Sequence, residues 1–179
     1  SLIRKGIVFD RLLESVMLDN IDPDDLVIGD RNALLIASRI TGYGNEYSAQ
    51  ISCPSCGHKD KYSFDLFKVK TPGKPSDEYM KLYSVKQTSS GTYVFTLQDI
   101  STEVEVKALT GRDEKRLDSM AKAKSRNNLG ESAVTDGLKS YIVSINGDSS
   151  PGMISQFVDA LPALQSRKIR SIYKNIIPK

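Results

Sequence analysis

The sequence predicts an α+β protein in which antiparallel β hairpins pack between N-terminal helices and a C-terminal helical region. Three observations lead there. Apolar residues recur at helical spacing up to Thr41. From Tyr47 to Ala108 they switch to alternation with polar residues, and from Thr110 the helical spacing returns. The expected organisation is therefore helices over 1–46, a β region over 47–108 and helices over 109–179, within one compact domain.

In the first part, Leu12, Leu13, Val16 and Met17 place a helix over Phe9–Leu18, with Asp10 as its cap. Asn20-Ile21-Asp22-Pro23 resets the chain. Asp22 then caps a short second helix with Pro23 in its first position, Gly29 ends it, and Asp30 caps a third. That third helix, Arg31–Thr41, carries Leu34, Leu35, Ile36 and Ile40 and stops at Gly42-Tyr43-Gly44. Arg39 on this helix is expected to form a buried pair with a carboxylate. Helix capping explains Asp22, Asp24 and Asp25 better than calcium does, because the ligand alternation and glycine of an EF-hand loop are absent.

The middle part opens with Tyr47, Ala49, Ile51 and Cys53 alternating with Ser48, Gln50 and Ser52, the period of a half-buried strand. Tyr62, Phe64 and Leu66 repeat it. Between the two runs lies Cys53-Pro54-Ser55-Cys56-Gly57-His58, a hairpin tip shaped as a metal knuckle. Pro54 presets its own φ, Gly57 accepts a left-handed conformation, and such a turn aims two sulfurs at one centre while backbone amides approach them. Thr71-Pro72-Gly73-Lys74-Pro75-Ser76 reads as a loop. Strands are expected over Lys81–Gln87 and Thr92–Leu97, joined by Ser89-Ser90-Gly91, and over Thr102–Ala108.

In the last part Thr110 caps a helix with Asp113 and Glu114 in its first turn. Asn127-Asn128-Leu129-Gly130 breaks it. Ser132 or Thr135 opens another helix, carrying Leu138, Ile142 and Val143 and stopped at Asn146-Gly147. Pro151–Leu161 and Pro162–Ile176 form a final helical pair, with Ile154, Phe157, Val158 and Leu161 as core candidates.

The chemistry points to Cys53 and Cys56. They are the only cysteines among the 179 residues, so they supply half of a closed structural Zn²⁺ site, which takes four ligands. The zinc-ribbon-like reading has the other two ligands coming from outside these residues or from another chain. A knuckle that keeps the turn and holds no metal is the competing reading. His58 is a further candidate ligand, though the residue after a knuckle glycine is more often merely exposed. A thioredoxin-like redox pair fits poorly, because that motif expects a helix after it and here strands flank both sides.

His58 is the only histidine, which removes most histidine-based acid–base schemes. G-x-S-x-G, the P-loop pattern and G-x-G-x-x-G are all missing, so the sequence gives no support for an enzyme. Arg167, Lys168, Arg170 and Lys174 crowd the final helix, yet 25 Lys and Arg stand against 22 Asp and Glu. A solvated face or a protein interface explains that helix better than nucleic acid, which stays as the alternative function for a zinc-ribbon module. No apolar run approaches the roughly 18 residues needed to span a bilayer, so no membrane partner is expected. No signal peptide is visible, and two knuckle cysteines are not a secreted disulfide framework; the expectation is intracellular production with reduced thiols. Ser1 at the start and Ile177-Pro178-Lys179 at the end suggest a piece of a longer polypeptide.

Asp30-Arg31, Leu34-Leu35, Arg39, Tyr43-Gly44 and Tyr47, running into Cys53-Pro54-Ser55-Cys56-Gly57, resemble the T4-type bacteriophage base plate protein family. Tyr141-Ile142-Val143-Ser144-Ile145-Asn146-Gly147 and Phe157-Val158-Asp159-Ala160-Leu161-Pro162-Ala163 are similar to its C-terminal helices, which extends the resemblance from about residue 25 onward. The resemblance implies a non-catalytic component of the tail base plate or central hub, or an assembly factor. It further implies production in the host cytoplasm, residence in the virion tail, and other tail proteins as partners in a hetero-oligomeric assembly. Family members commonly continue past the Ile-Pro equivalent into a second C-x-x-C-G knuckle, which the resemblance offers as the source of the missing ligands.

Overall fold

The computed structural model describes residues 7–18, 21–69, 76–127 and 132–177. The chain is α+β, with seven α-helices and two antiparallel sheets among these residues. It divides into two compact units, 1–72 and 73–178.

In the first unit, α1 (Ile7–Val16) and α2 (Ile28–Tyr43) precede a two-stranded sheet of β1 (Glu46–Ser52) and β2 (Lys59–Asp65). α1 begins before the expected cap, so Asp10 lies within the helix and its Oδ1 accepts from Arg31 Nη2 of α2 at 2.7 Å. This ion pair is largely shielded from water and ties the two helices together, and Leu13 beside it is fully buried. The expected second helix is a turn instead. The Asp22 carboxylate accepts from the Asp24 amide at 2.9 Å and its carbonyl accepts from the Asp25 amide at 2.9 Å, a local arrangement that competes with helix propagation. α2 consequently starts at Ile28, with Gly29 and Asp30 in its first turn rather than ending one helix and capping the next. Gly44 closes α2 at φ 82°, its amide reaching the Ile40 carbonyl at 2.8 Å.

The second unit is built on a four-stranded sheet in the order β3-β4-β5-β6: β3 (Lys86–Gln87), β4 (Tyr93–Leu97), β5 (Thr102–Val106) and β6 (Ile142–Ile145). Strict alternation on β4 puts Tyr93, Phe95 and Leu97 on one face, and Val104 and Val106 of β5 join them; all five are buried. α3 (Asp77–Leu82), α4 (Gly111–Arg126), α5 (Ala133–Tyr141), α6 (Pro151–Ala160) and α7 (Ala163–Ile176) accompany the sheet. Leu138, Ile154, Val158, Ile169, Ile172 and Ile176 of α5–α7 complete the hydrophobic core, with Phe157 and Leu161 packed partly against it.

Two expected elements change identity here. The strand placed at Lys81–Gln87 loses its first two residues to helix α3, which Ser76 caps by accepting the Tyr79 amide on Oγ at 3.2 Å and whose first turn Asp77 and Glu78 fill. Ser84, at φ 52°, turns the chain out of that helix and leaves only two residues of strand. The helix expected to continue through Ile142 and Val143 stops at Tyr141, and Ile142–Ile145 is strand β6, antiparallel to β5. A run rich in β-branched residues beside the open edge of β5 gains a ladder of backbone bonds that a lengthened α5 would forgo. The loop expected at 71–76 and the break at 127–130 lie mostly outside the described residues.

Candidate functional site

The candidate site is the β1–β2 hairpin with its knuckle. Its register is continuous from Glu46↔Asp65 to Ser52↔Lys59. Tyr47, Ala49, Ile51, Tyr62 and Phe64 therefore share one face, as the alternation predicts. The expected burial of that face does not follow: Tyr47 is 41% exposed, Ile51 53% and Tyr62 58%. Within the face, the Phe64 ring sits 5.3 Å from Tyr47 and 5.9 Å from Tyr62, tilted against both. β2 also flanks an open cleft of about 600 Å³ lined by Tyr62, Ser63, Phe64, Asp65, Lys68 and Val69.

The base of the hairpin is clasped by polar contacts. Asn45 Nδ2 donates to Asp65 Oδ1 at 2.7 Å, the Leu66 amide donates to the Asn45 carbonyl at 2.8 Å, and Asp65 Oδ1 also takes the Phe67 amide at 3.0 Å. These donors, Asn45 first, hold the Asp65 carboxyl below its ordinary range. Arg39 corrects an expectation. It donates to the carbonyls of Gly44 at 2.9 Å and Glu46 at 3.3 Å, and its guanidinium lies 5.0 Å from the Tyr43 ring centre and 5.9 Å from that of Tyr47. The guanidinium thus joins the end of α2 to the start of β1 through backbone carbonyls and ring faces, where a carboxylate was expected. The four-residue steps Arg39, Tyr43, Tyr47 were visible in the sequence as a hint of this stack.

At the tip, the Cys53 amide donates to the His58 carbonyl at 2.8 Å and the Gly57 amide to the Cys53 carbonyl at 2.9 Å, with Gly57 at φ 71°. This tight double closure folds the four-residue turn back on Cys53. The amides of Cys56 and Ser55, and then the Cys56 thiol, approach the Cys53 sulfur and lower its pKa from the ordinary thiol value. The two sulfurs are free thiols brought together in one turn, with strands on both sides. His58 is exposed, and no group of three His, Cys, Asp or Glu side chains suited to a metal occurs among the described residues. Cys53 and Cys56 together are thus what the fold assembles here.

No helix among the described residues is long and apolar enough to cross a membrane. No curated protein and no solved structure matches the chain. A family model does match, from residue 7 to residue 89, taking in α1, α2, the whole knuckle hairpin and the chain as far as β3. It stops short of Tyr141–Gly147 and Phe157–Ala163, so the likeness noted there is not part of it. Residues 7–89 of the chain thus match the family described as T4 bacteriophage base plate protein.

Proposed function

We propose that this protein is a non-catalytic structural subunit of a phage tail base plate or central hub, docking other tail proteins through protein–protein contacts. The observation that carries the reading is the family match across the hairpin and its supporting helices. The exposed face of Tyr47, Ile51 and Tyr62 supports it, since apolar surface left open on a small β unit is the kind that a partner covers. Residence in the virion tail follows from the same reading. Co-purification with other tail proteins from infected cells, or density for the chain in a virion tail, is the expected result; a free protein recovered with no tail partner would overturn it.

Zinc belongs to the same proposal. Cys53 and Cys56 would hold Zn²⁺ as thiolates, with two further ligands from outside residues 1–179 or from another chain. The residues fit the ion as half a site: two adjacent thiols, amides aimed at Cys53, and a Cys53 pKa already lowered toward the thiolate a metal needs. Zinc there would add folding energy and no chemistry. Metal analysis of the full-length protein should find about one Zn per chain, lost in Cys53→Ser; a folded, metal-free preparation would sink this part alone. DNA binding that weakens steeply with salt would instead favour the nucleic-acid alternative.

A further inference from the structure

The backbone of the hairpin is as informative as its side chains. The bonds from the Leu66 amide to the Asn45 carbonyl and from the Cys53 amide to the His58 carbonyl mark the two ends of the ladder. With the register between them, odd-numbered residues of β1 bond inward to β2, while Glu46, Ser48, Gln50 and Ser52 turn their amides and carbonyls outward. Two capped groups agree with that phase: the Glu46 carbonyl accepts from Arg39, and on β2 the Lys61 amide donates to Asp60 Oδ1 at 2.8 Å.

The two edges differ in kind. β2, KDKYSFD, carries Lys59, Asp60, Lys61 and Asp65, the charged edge that resists strand addition. β1, EYSAQIS, has no charge after Glu46, no proline and no glycine. Ser48, Gln50 and Ser52 are exposed, and among the described residues no strand pairs with the other side of β1. An open edge whose single charge lies at its first residue, without proline or glycine, is what monomeric proteins avoid.

We propose that the outer edge of β1 pairs antiparallel with β1 of a second copy of this chain, about a two-fold axis through Ala49, giving a four-stranded β2-β1-β1-β2 sheet. The strand is self-complementary in that register. The seven residues lie opposite one another, and Ser48 bonds outward to Gln50 of the second copy on both sides of the axis, while at each end Glu46 faces Ser52 with its carbonyl already held by Arg39. On the other phase Tyr47 faces Ile51 and Ala49 faces itself, aromatic against β-branched and small against small, with no like charges opposed. Both tyrosine-bearing faces then lie on the same side of one sheet. The two-fold makes the contact closed and not fibre-forming. It is independent of zinc and of the tail partners.

Sedimentation velocity of the full chain tests this. The wild type is expected to sediment as a dimer that dissociates on dilution. Gln50→Pro removes an outward amide and no bond of the β1–β2 ladder, so it is expected to be monomeric with an unchanged circular dichroism spectrum. A charge pair guards against misfolding as the cause: Ser48→Glu with Gln50→Glu opposes like charges and abolishes the dimer, whereas Ser48→Lys with Gln50→Glu opposes unlike charges and keeps it. A wild type monomeric at every concentration would overturn the proposal, as would a dimer insensitive to both the proline and the double-glutamate change.

Discussion

Tyr141 and Asp113 are two buried polar residues with opposite fates. The Tyr141 ring stacks on Tyr173 at 3.9 Å and is 6% exposed, and its hydroxyl has no hydrogen-bond partner among the described residues. A buried hydroxyl without a partner carries its desolvation cost in the folded state, so deleting it relieves that cost while the ring packing stays. Tyr141→Phe is therefore expected to be neutral or stabilising by up to about 1 kcal/mol in urea denaturation. Asp113 is instead satisfied on several sides. Lys107 Nζ reaches it at 2.7 Å, and with Thr110 it completes a capping box at the start of α4. Burial alone would raise its carboxyl, but Lys107 and the Thr110 amide outweigh burial and leave it lowered. Asp113→Ala should destabilise the second unit by about 1–2 kcal/mol, the cost typical of a lost cap, and Thr110→Ala should fall at the lower end of that range in the same urea series.

Among the elements, β4 and the hairpin tip present opposite cases, one buried and one exposed. Phe95 is fully buried at the centre of β4, facing α5–α7 across the core. Phe95→Ala is expected to cost about 3–5 kcal/mol through lost burial and an unfilled cavity, read as an earlier urea midpoint. A fall of under about 1 kcal/mol, the scale of an ordinary surface change, would contradict that packing. At the hairpin tip Gly57 sits at φ 71° with open space where a Cβ would stand. Only backbone strain opposes a side chain there, about 1 kcal/mol or somewhat more for alanine. On the zinc proposal, Gly57→Ala should weaken metal uptake at Cys53 and Cys56 by loosening the turn, with little change in the urea midpoint of the second unit. Metal titration of the two proteins checks it.

Across the second unit, carboxylates are tied to lysines on neighbouring segments. Lys168 holds Asp99, Lys124 holds Asp136 and Lys139 holds Asp159, each as the leading cause of a lowered carboxyl. Lys124 and Lys139 clamp α5 to α4 on one side and to α6 on the other, each sharing its aspartate with a serine. A carboxyl lowered in the folded state adds stability above its unfolded pKa, about 3.9 for Asp, and loses it as the pH falls through the lower folded value. Melting temperature should therefore drop below about pH 4, and Asp136→Asn should flatten that drop. The tyrosines act at the other end. Burial pushes Tyr173 up to about 12 and Tyr141 higher still. Their contribution is whole below the unfolded value of about 10 and is lost as the pH rises through the folded values. Alkaline melting should be steepest there, and less steep in Tyr141→Phe.

Wherever one local signal acted alone, the sequence by itself determined the outcome. Alternation placed Tyr93, Phe95 and Leu97 on one buried face, Thr110 capped α4, and C-P-S-C-G folded as a tight turn between two strands. The pair Cys53 and Cys56 was legible for that reason, since a turn of six residues is decided within itself. Tertiary structure decided the rest. Ile142–Ile145 is apolar enough for either a helix or a strand, and the open edge of β5 chose strand. Arg39 could have met a carboxylate, but the close of α2 brought the carbonyls of Gly44 and Glu46 within its reach first. The alternation of β1 announced a strand with an apolar face yet could not say what lies against it. Periodicity specifies which side chains share a face, whereas burial depends on a neighbouring surface that the strand's own residues do not encode.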